Sequence, residues 1–403
     1  MAIHSTSRQT IPYLIPDMPE YYQLARYLQS TDKKHWYSNF GPLVNELELG
    51  ILDRFFPGVD KERLITCSSG TAAIELAIKS LSLPAGSSIL VPSFTFPATV
   101  TAIVNCGHNP VFCDVDEKSW QMTPEIAYDA MSFVEFHGVL PVATMGMPQD
   151  IDGWEQFARD TQLPVIIDAA PAIESQKVST ELTVCFSLHA TKAFGVGEGG
   201  FVIYPSQEEA ARGKKLSNFG FSAGVIEEVG SNYKLSEYHA AVGLAQLERW
   251  QEVVDRRDAI RRYYQSAMET IKSWVFFQSH SNESPGGDIS YLQRAVFYSS
   301  CVIGIRDTRR KDNHDVVNAL LQLGIEARPW YKPIHQHPAF CEYQLMGQHG
   351  EACLSVTNTL GKTLFSLPFH NFLVNEDIDY IVNGTKKSIG RRDNKSSKVI
   401  RIG

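Results

Sequence analysis

Between residues 60 and 204, short runs of β-branched and aliphatic residues alternate with stretches whose apolar positions recur every three or four residues. RLITC at 63–67 predicts a strand, after which Ile74, Ala77, Ile78 and Leu81 repeat at helical spacing. SILV at 88–91 predicts the next strand. Pro97, suited to a first helical turn, opens a helix that Gly107 closes. PVFCDV, GVLPVA, LPVIID, LTVCFSL and GGFVIY supply five further strands. Strands separated by helical crossovers imply an α/β fold with a mostly parallel sheet, covered by helices on both faces. Ligands gather at the carboxyl ends of such strands, so chemistry is expected in the residues that follow each one.

Beyond 204 the pattern changes. Residues 236–267 read as one long helix with Ala240, Leu244, Leu247, Trp250 and Val254 on a single stripe. SHSNESPGGD at 279–288 is polar and rich in breakers, which predicts a loop. VFYSSCVIGI then reads as strand and HDVVNALLQLG as helix, a second, smaller α/β region. These shifts divide the chain into an N-terminal segment (1–60), a large α/β domain (61–265), a small C-terminal α/β domain (266–385) and a tail (386–403). The tail carries Lys and Arg with little apolar content and is expected to fray in solvent. Internal repeats are absent from the pattern.

Composition narrows the class. Of 403 residues, 43% are hydrophobic, ample apolar surface to offset the entropy of ordering. Lys plus Arg (37) against Asp plus Glu (45) leaves a net charge of −8, which argues against nucleic acid as a partner. Cys67, Cys106, Cys113, Cys185, Cys301, Cys341 and Cys353 form no CxxC pair and are odd in number. Most sit in apolar runs, where a thiol behaves as a small hydrophobe, so they read as reduced, structural cysteines. MAIHSTSRQT lacks the basic start and apolar core of a secretory signal, and no stretch approaches the ~20 apolar residues of a bilayer span. A cytoplasmic protein with neither a membrane partner nor a metal is expected.

Three segments carry candidate chemistry. Ser68-Ser69-Gly70-Thr71 lies between the strand at 63–67 and the following helix, where free N–H groups and the helix dipole suit a phosphate; plain N-capping is the other reading. Asp168 closes the strand Val165-Ile166-Ile167, and a carboxylate there needs a cationic or hydrogen-bonding partner. A protonated ring nitrogen of a cofactor would serve; so would a helix start or a structural ion pair. Lys192, just past LTVCFSL, is either a solvated loop residue or a desolvated, nucleophilic amine of the kind that forms Schiff bases with pyridoxal phosphate. Beside it, Gly195 to Gly200 fits GxGxxG, but a strand, Phe201-Val202-Ile203-Tyr204, follows instead of a helix. That excludes a dinucleotide site and leaves a turn where backbone approaches a ligand closely.

The order SSGT, PSFTF, IIDAA, SLHATK, EGG and SNYKLSE resembles the DegT/DnrJ/EryC1/StrS family of pyridoxal-phosphate aminotransferases acting on nucleotide-linked sugars. The likeness begins near Tyr37-Ser38-Asn39-Phe40-Gly41-Pro42 and runs to Ser366-Leu367-Pro368-Phe369-His370. SLHATKAFGVGEGG and LSEYHAAVGLAQLE are its most specific stretches; RPWYKPIHQHP and NEDIDYIV match the C-terminal region. The resemblance implies the type I aminotransferase fold, with an N-terminal segment contributing to the active site and a large domain binding pyridoxal 5′-phosphate. It implies that Lys192 holds the cofactor and shuttles the proton, while Asp168 keeps the pyridine nitrogen protonated. It implies Gly70, Thr71 and Ser187 at the phosphate, with Phe96, or else Phe94, stacked on the ring. Asn232 would reach the phosphate of a partner subunit, so a homodimer with shared sites is expected. The implied reaction moves an amino group from an amino acid, L-glutamate in this reading, to a nucleoside-diphosphate keto sugar. His189, Lys234, Tyr331, His335 and the 36–42 segment are substrate candidates.

Three positions depart from that pattern. Pro171 stands where Gln or His usually follows DAA, so a side-chain bond to the cofactor's ring hydroxyl is missing or comes from elsewhere. Lys234 replaces an Arg, exchanging a fork for a point charge. Val142-Ala143-Thr144-Met145-Gly146 lacks the His of PVHxYG. A dehydratase branch of the family replaces the lysine by His, and Lys192 argues against it; a non-catalytic, regulatory relative is the remaining alternative.

Overall fold

The structure is a computed structural model and describes residues 10–279, 301–308 and 311–390. Two helices come first, α1 (Tyr21–Lys34) and α2 (Pro42–Phe55). The alternating region then supplies β1 (Leu64–Cys67), α3 (Gly70–Ser80), β2 (Ser88–Pro92), α4 (Pro97–Asn105), β3 (Asn109–Cys113), α5 (Pro124–Met131), β4 (Gly138–Val139), α6 (Ile151–Thr161), β5 (Ile166–Asp168), β6 (Thr183–Ser187) and β7 (Gly200–Ile203). After α7 (Gln207–Ser217) comes a hairpin, β8 (Phe221–Ser222) and β9 (Val225–Ile226), then α8 (Glu237–Met268). The C-terminal part holds β10 (Val275–Phe276), β11 (Cys301–Ile305), α9 (Asn313–Gln322), β12 (Arg328–Pro329), β13 (Leu345–Met346), α10 (Ser355–Thr363), β14 (Leu364–Leu367) and α11 (Asn375–Gly390).

The large sheet runs β13-β3-β2-β4 and β5-β6-β7-β1. Parallel bridges Val139–Val165 and Val142–Asp168 join the two halves. Only β7 runs against its neighbours, pairing antiparallel with β1 and β6. The mostly parallel expectation holds, and the near-continuous burial of these strands fits a sheet covered on both faces. GVLPVA is strand for two residues only, because Pro141 has no N–H to extend the ladder. Helices start where the sequence places caps. Ser69 accepts from Ala72 N, Asp150 from Gly153 N and Ser236 from His239 N, and Pro97 takes the first position of α4.

A second, antiparallel sheet, β10-β11-β14-β12, packs its own apolar cluster from Ile303, Phe365 and Leu367 against α9, α11 and the end of α8. Only Ser279 of the predicted 279–288 loop, and residues 301–305 of the predicted strand VFYSSCVIGI, fall among the described residues. Helix α11 extends through Gly390 with Thr385 and Ser388 buried, so residues 386–390 of the predicted tail are helical; residues 391–403 lie outside the described residues. No helix of the described residues is long and apolar enough to cross a membrane.

Candidate active site

The site assembles at the carboxyl ends of β1, β2, β5 and β6. Asp168, the last residue of β5, is 4% exposed. Its Oδ1 accepts from Ala170 N (3.0 Å) and its Oδ2 from the Thr99 hydroxyl (2.7 Å). Burial pushes this carboxyl above its ordinary value, while the two hydrogen bonds and the Lys192 charge pull it back. Lys192 lies beyond β6 in a loop whose strands answer each other, Leu188 N to Gly199 O and Ala190 N to Gly197 O, both 2.8 Å. Burial holds the Lys192 ammonium below its ordinary value, and Asp168 opposes that shift. The glycines after Lys192 fold this loop and lead into β7, a strand where a dinucleotide motif would need a helix.

Two segments far apart in sequence meet at the other end of the site. A Cβ on Gly70 would stand 2.7 Å from Ser187 Cβ, and one on Gly200 would stand 2.5 Å from Ser69 O. Side chains at 70 or 200 would close this approach, which explains both glycines. Gly70 and Thr71 occupy the first two positions of α3, where no intrahelical carbonyl reaches their N–H groups. Ser69 serves as the cap, and its capping leaves the N–H groups of Gly70 and Thr71 available to an anion. Ser187 and Lys192 line one cavity with Ala170, Pro171, Ala172 and Trp250. Pro171 therefore presents ring carbons where a polar side chain was expected.

Phe96, at the N-cap of α4, is 57% exposed and offers a flat face at the end of β2. Phe94 is fully buried edge-on to Tyr331, with centroids 5.3 Å apart, and has no free face to stack. Tyr331 lies close enough to Asp168 to feel its charge, and burial raises its hydroxyl well above the ordinary range. His335 is turned toward Ser93 (Nδ1–Oγ 2.7 Å) and held below its ordinary value by burial. His189 sits half exposed, with Nδ1 2.8 Å from Thr191 Oγ1 and Nε2 3.6 Å from Glu198 Oε1. Asn232 and Lys234 gather elsewhere. They line a depression with Ser38, Asn39, Asn218 and Phe219, where Lys234 donates to Asn218 Oδ1 (2.8 Å) and covers the Phe219 ring.

The structure thus unites Lys192, Asp168, Ser187, Gly70 and Tyr331, and sets Asn232 and Lys234 with the 36–42 segment in a separate depression of the same chain. Sequence reading missed Thr99. It stands in the first turn of α4, just past the end of β2, and the carboxyl-end rule could have pointed to it. The residues present fit a planar, phosphate-bearing aromatic aldehyde. Two free N–H groups and a hydroxyl meet an anion, a desolvated amine meets a carbonyl, a buried carboxylate meets a ring cation and an exposed aromatic covers a flat face.

The model of the DegT/DnrJ/EryC1/StrS aminotransferase family matches residues 21–386. Protein Rv3402c of Mycobacterium tuberculosis is 30% identical over 398 residues, 94% of this chain and 90% of that protein. GDP-perosamine synthase of Caulobacter vibrioides is 28% identical, over 86% of this chain and 90% of its own length. Among solved structures, DesI in the presence of its TDP-sugar product superimposes with a TM-score of 0.81 at 25% identity, covering 95% of this chain and 94% of DesI.

Proposed function

Because the chain belongs to the DegT/DnrJ/EryC1/StrS aminotransferase family, we propose that it transfers an amino group from an amino acid to a keto sugar carried on a nucleoside diphosphate. It is a pyridoxal-phosphate-dependent sugar aminotransferase, and L-glutamate is the donor in our reading. One observation supports this most: Lys192 and Asp168 sit within each other's field at adjacent strand ends, each desolvated toward its neutral form.

When bound, pyridoxal phosphate supplies an aldehyde that exchanges between amines and a ring that accepts electron density from the substrate carbon. Lys192 Nζ, which burial disposes to lose its proton, would hold that aldehyde and, when released from it, would move a proton at the reacting carbon. Asp168 would keep the ring nitrogen protonated. The N–H groups of Gly70 and Thr71, with the Ser187 hydroxyl, would hold the phosphate at the start of α3. Phe96 would cover the ring, and Tyr331, kept protonated by burial, is the candidate to donate toward substrate.

The active unit in this reading is a homodimer with shared sites. Asn232 and Lys234, remote from Lys192 in their own chain, complete the partner's site, and the exposed 219–229 hairpin reaches across. Borohydride added to coenzyme-loaded protein should fix one coenzyme onto the peptide containing Lys192 and bleach the visible band. Lys192→Ala that still traps coenzyme covalently would sink the assignment.

A further inference from the structure

We infer that Thr99 is a positioning residue, fixing which oxygen of Asp168 faces the coenzyme's ring nitrogen; this rests on the coenzyme reading above. Thr95 and Thr99 are fully enclosed, 1% and 0% exposed, so their hydroxyls have no competing water. Thr99 Oγ1 lies 2.7 Å from Asp168 Oδ2 and 2.9 Å from Thr95 Oγ1. A charged carboxylate has no proton to give, so the single Thr99 proton must point at Oδ2. The bond between the two threonines is then donated by Thr95. The chain Thr95 to Thr99 to Asp168 has one direction while the carboxylate is charged and is free to reverse only when Oδ2 itself carries a proton.

With Oδ2 engaged by Thr99 and Oδ1 by Ala170 N, the carboxylate cannot rotate, and its remaining lone pairs are set in space. The same α4 begins at Phe96, so the hydroxyl ties the ring-covering aromatic to the ring-facing anion. The Lys192 amine is the charged group felt at Asp168, while the Tyr331 hydroxyl and the Cys185 thiol feel the Asp168 charge and are kept neutral by burial. Thr99 is thus the side-chain hydroxyl among them that donates directly to the charged form. Hydrogen bonds to ionised groups are the stronger ones, and this one is wholly desolvated.

The test compares the full chain with Thr99→Val and Thr99→Ser, using two probes, pyridoxal phosphate and its 1-deaza analogue, which lacks the ring nitrogen. Thr99→Val is expected to bind pyridoxal phosphate about tenfold more weakly and the analogue nearly as wild type does. The acid limb of the bound coenzyme's visible-band titration should move up by about one pH unit, and Thr99→Ser should restore both readouts. Wild-type affinity and titration in Thr99→Val, or an equal loss for both probes, would overturn the proposal. If Thr99→Val does not fold, Thr95→Val decides. It should show a two- to threefold loss for pyridoxal phosphate alone, and wild-type behaviour there refutes the relay. Wild-type protein that takes up no pyridoxal phosphate defeats the coenzyme reading itself, and this inference with it.

Discussion

Lys192 and Asp168 are held at a cost that the coenzyme-free protein bears alone. Asp168 titrates above its ordinary 3.8, so the folded state favours its neutral form: that component of stability is full below 3.8 and lost as pH rises through the raised value. Lys192 titrates below its ordinary 10.5, so its component is full above 10.5 and lost as pH falls through the lowered value. Near neutral pH both penalties stand, offset by mutual attraction and, at Asp168, by the hydrogen bonds from Thr99 and Ala170 N. A Lys192→Met/Asp168→Asn double variant, measured without coenzyme at pH 7, should therefore unfold with equal or greater difficulty, by up to about 4 kcal/mol. The lysine share of that gap should close as pH climbs to 10.5 and the aspartate share as it falls to 3.8. Chemical denaturation across pH measures this, and a variant less stable than wild type at neutral pH would contradict it.

Elements are held to one another by carboxylates that reach across the fold. Glu237, in the first turn of α8 and 1% exposed, accepts from Leu43 N (2.8 Å) and Val44 N (3.0 Å), and so caps α2 from another helix. Asp114, just past β3, does the same for α10 through Val356 N (3.0 Å) and Thr357 N (2.7 Å). Glu237→Ala leaves two enclosed N–H groups unpaired and should cost about 1–3 kcal/mol. The backbone bond from Glu237 N to Tyr37 O survives the substitution, so the loosening should be confined to the start of α2. Loss of hydrogen-exchange protection at 43–45, with α5 unchanged, would report it. These remote caps show where sequence reading stops. Strand ends, glycines and local caps such as Ser69 are visible because their partners lie within a few residues. Glu237 and Leu43 are 194 positions apart, and Thr99 and Asp168 are 69 apart. Only the packing of sheet and helices fixes such pairs. His335 is the converse: its motif is legible, but the fold turns one ring nitrogen toward Ser93.

At the scale of the molecule the exposed hairpin has the most to say. Ala223 and Gly224 both have positive φ, which suits a tight two-residue turn, and it presents Phe221, Val225 and Ile226 to solvent, with Val229 88% exposed. An apolar group of this kind on a chain of net charge −8 is expected at a contact between copies. On the proposed homodimer, Ile226→Asp should shift sedimentation from dimer to monomer at micromolar concentration and remove most transaminase activity, since each chain would then lack its partner's Asn232. A monomer with full activity would refute the shared site. The charge and the parallel sheet were readable from composition and periodicity. Which residues would serve a second copy was readable only through the resemblance that singled out Asn232, because no local pattern separates a loop that folds back from one that reaches away.

The edge strand β13 carries a consequence for synthesis. Leu345 and Met346 pair parallel with Phe112 and Cys113, closing the β3 side of the large sheet from roughly 230 residues downstream. At a ribosome's pace of ~5–20 residues per second, that edge stays open for about 10–50 s after β3 is made, and for about 7–30 s after β7 completes the rest of the sheet. During that interval the nascent chain shows an unpaired β3 rim, a template for wrong pairing. Chaperone demand should concentrate there and end when position 346 emerges.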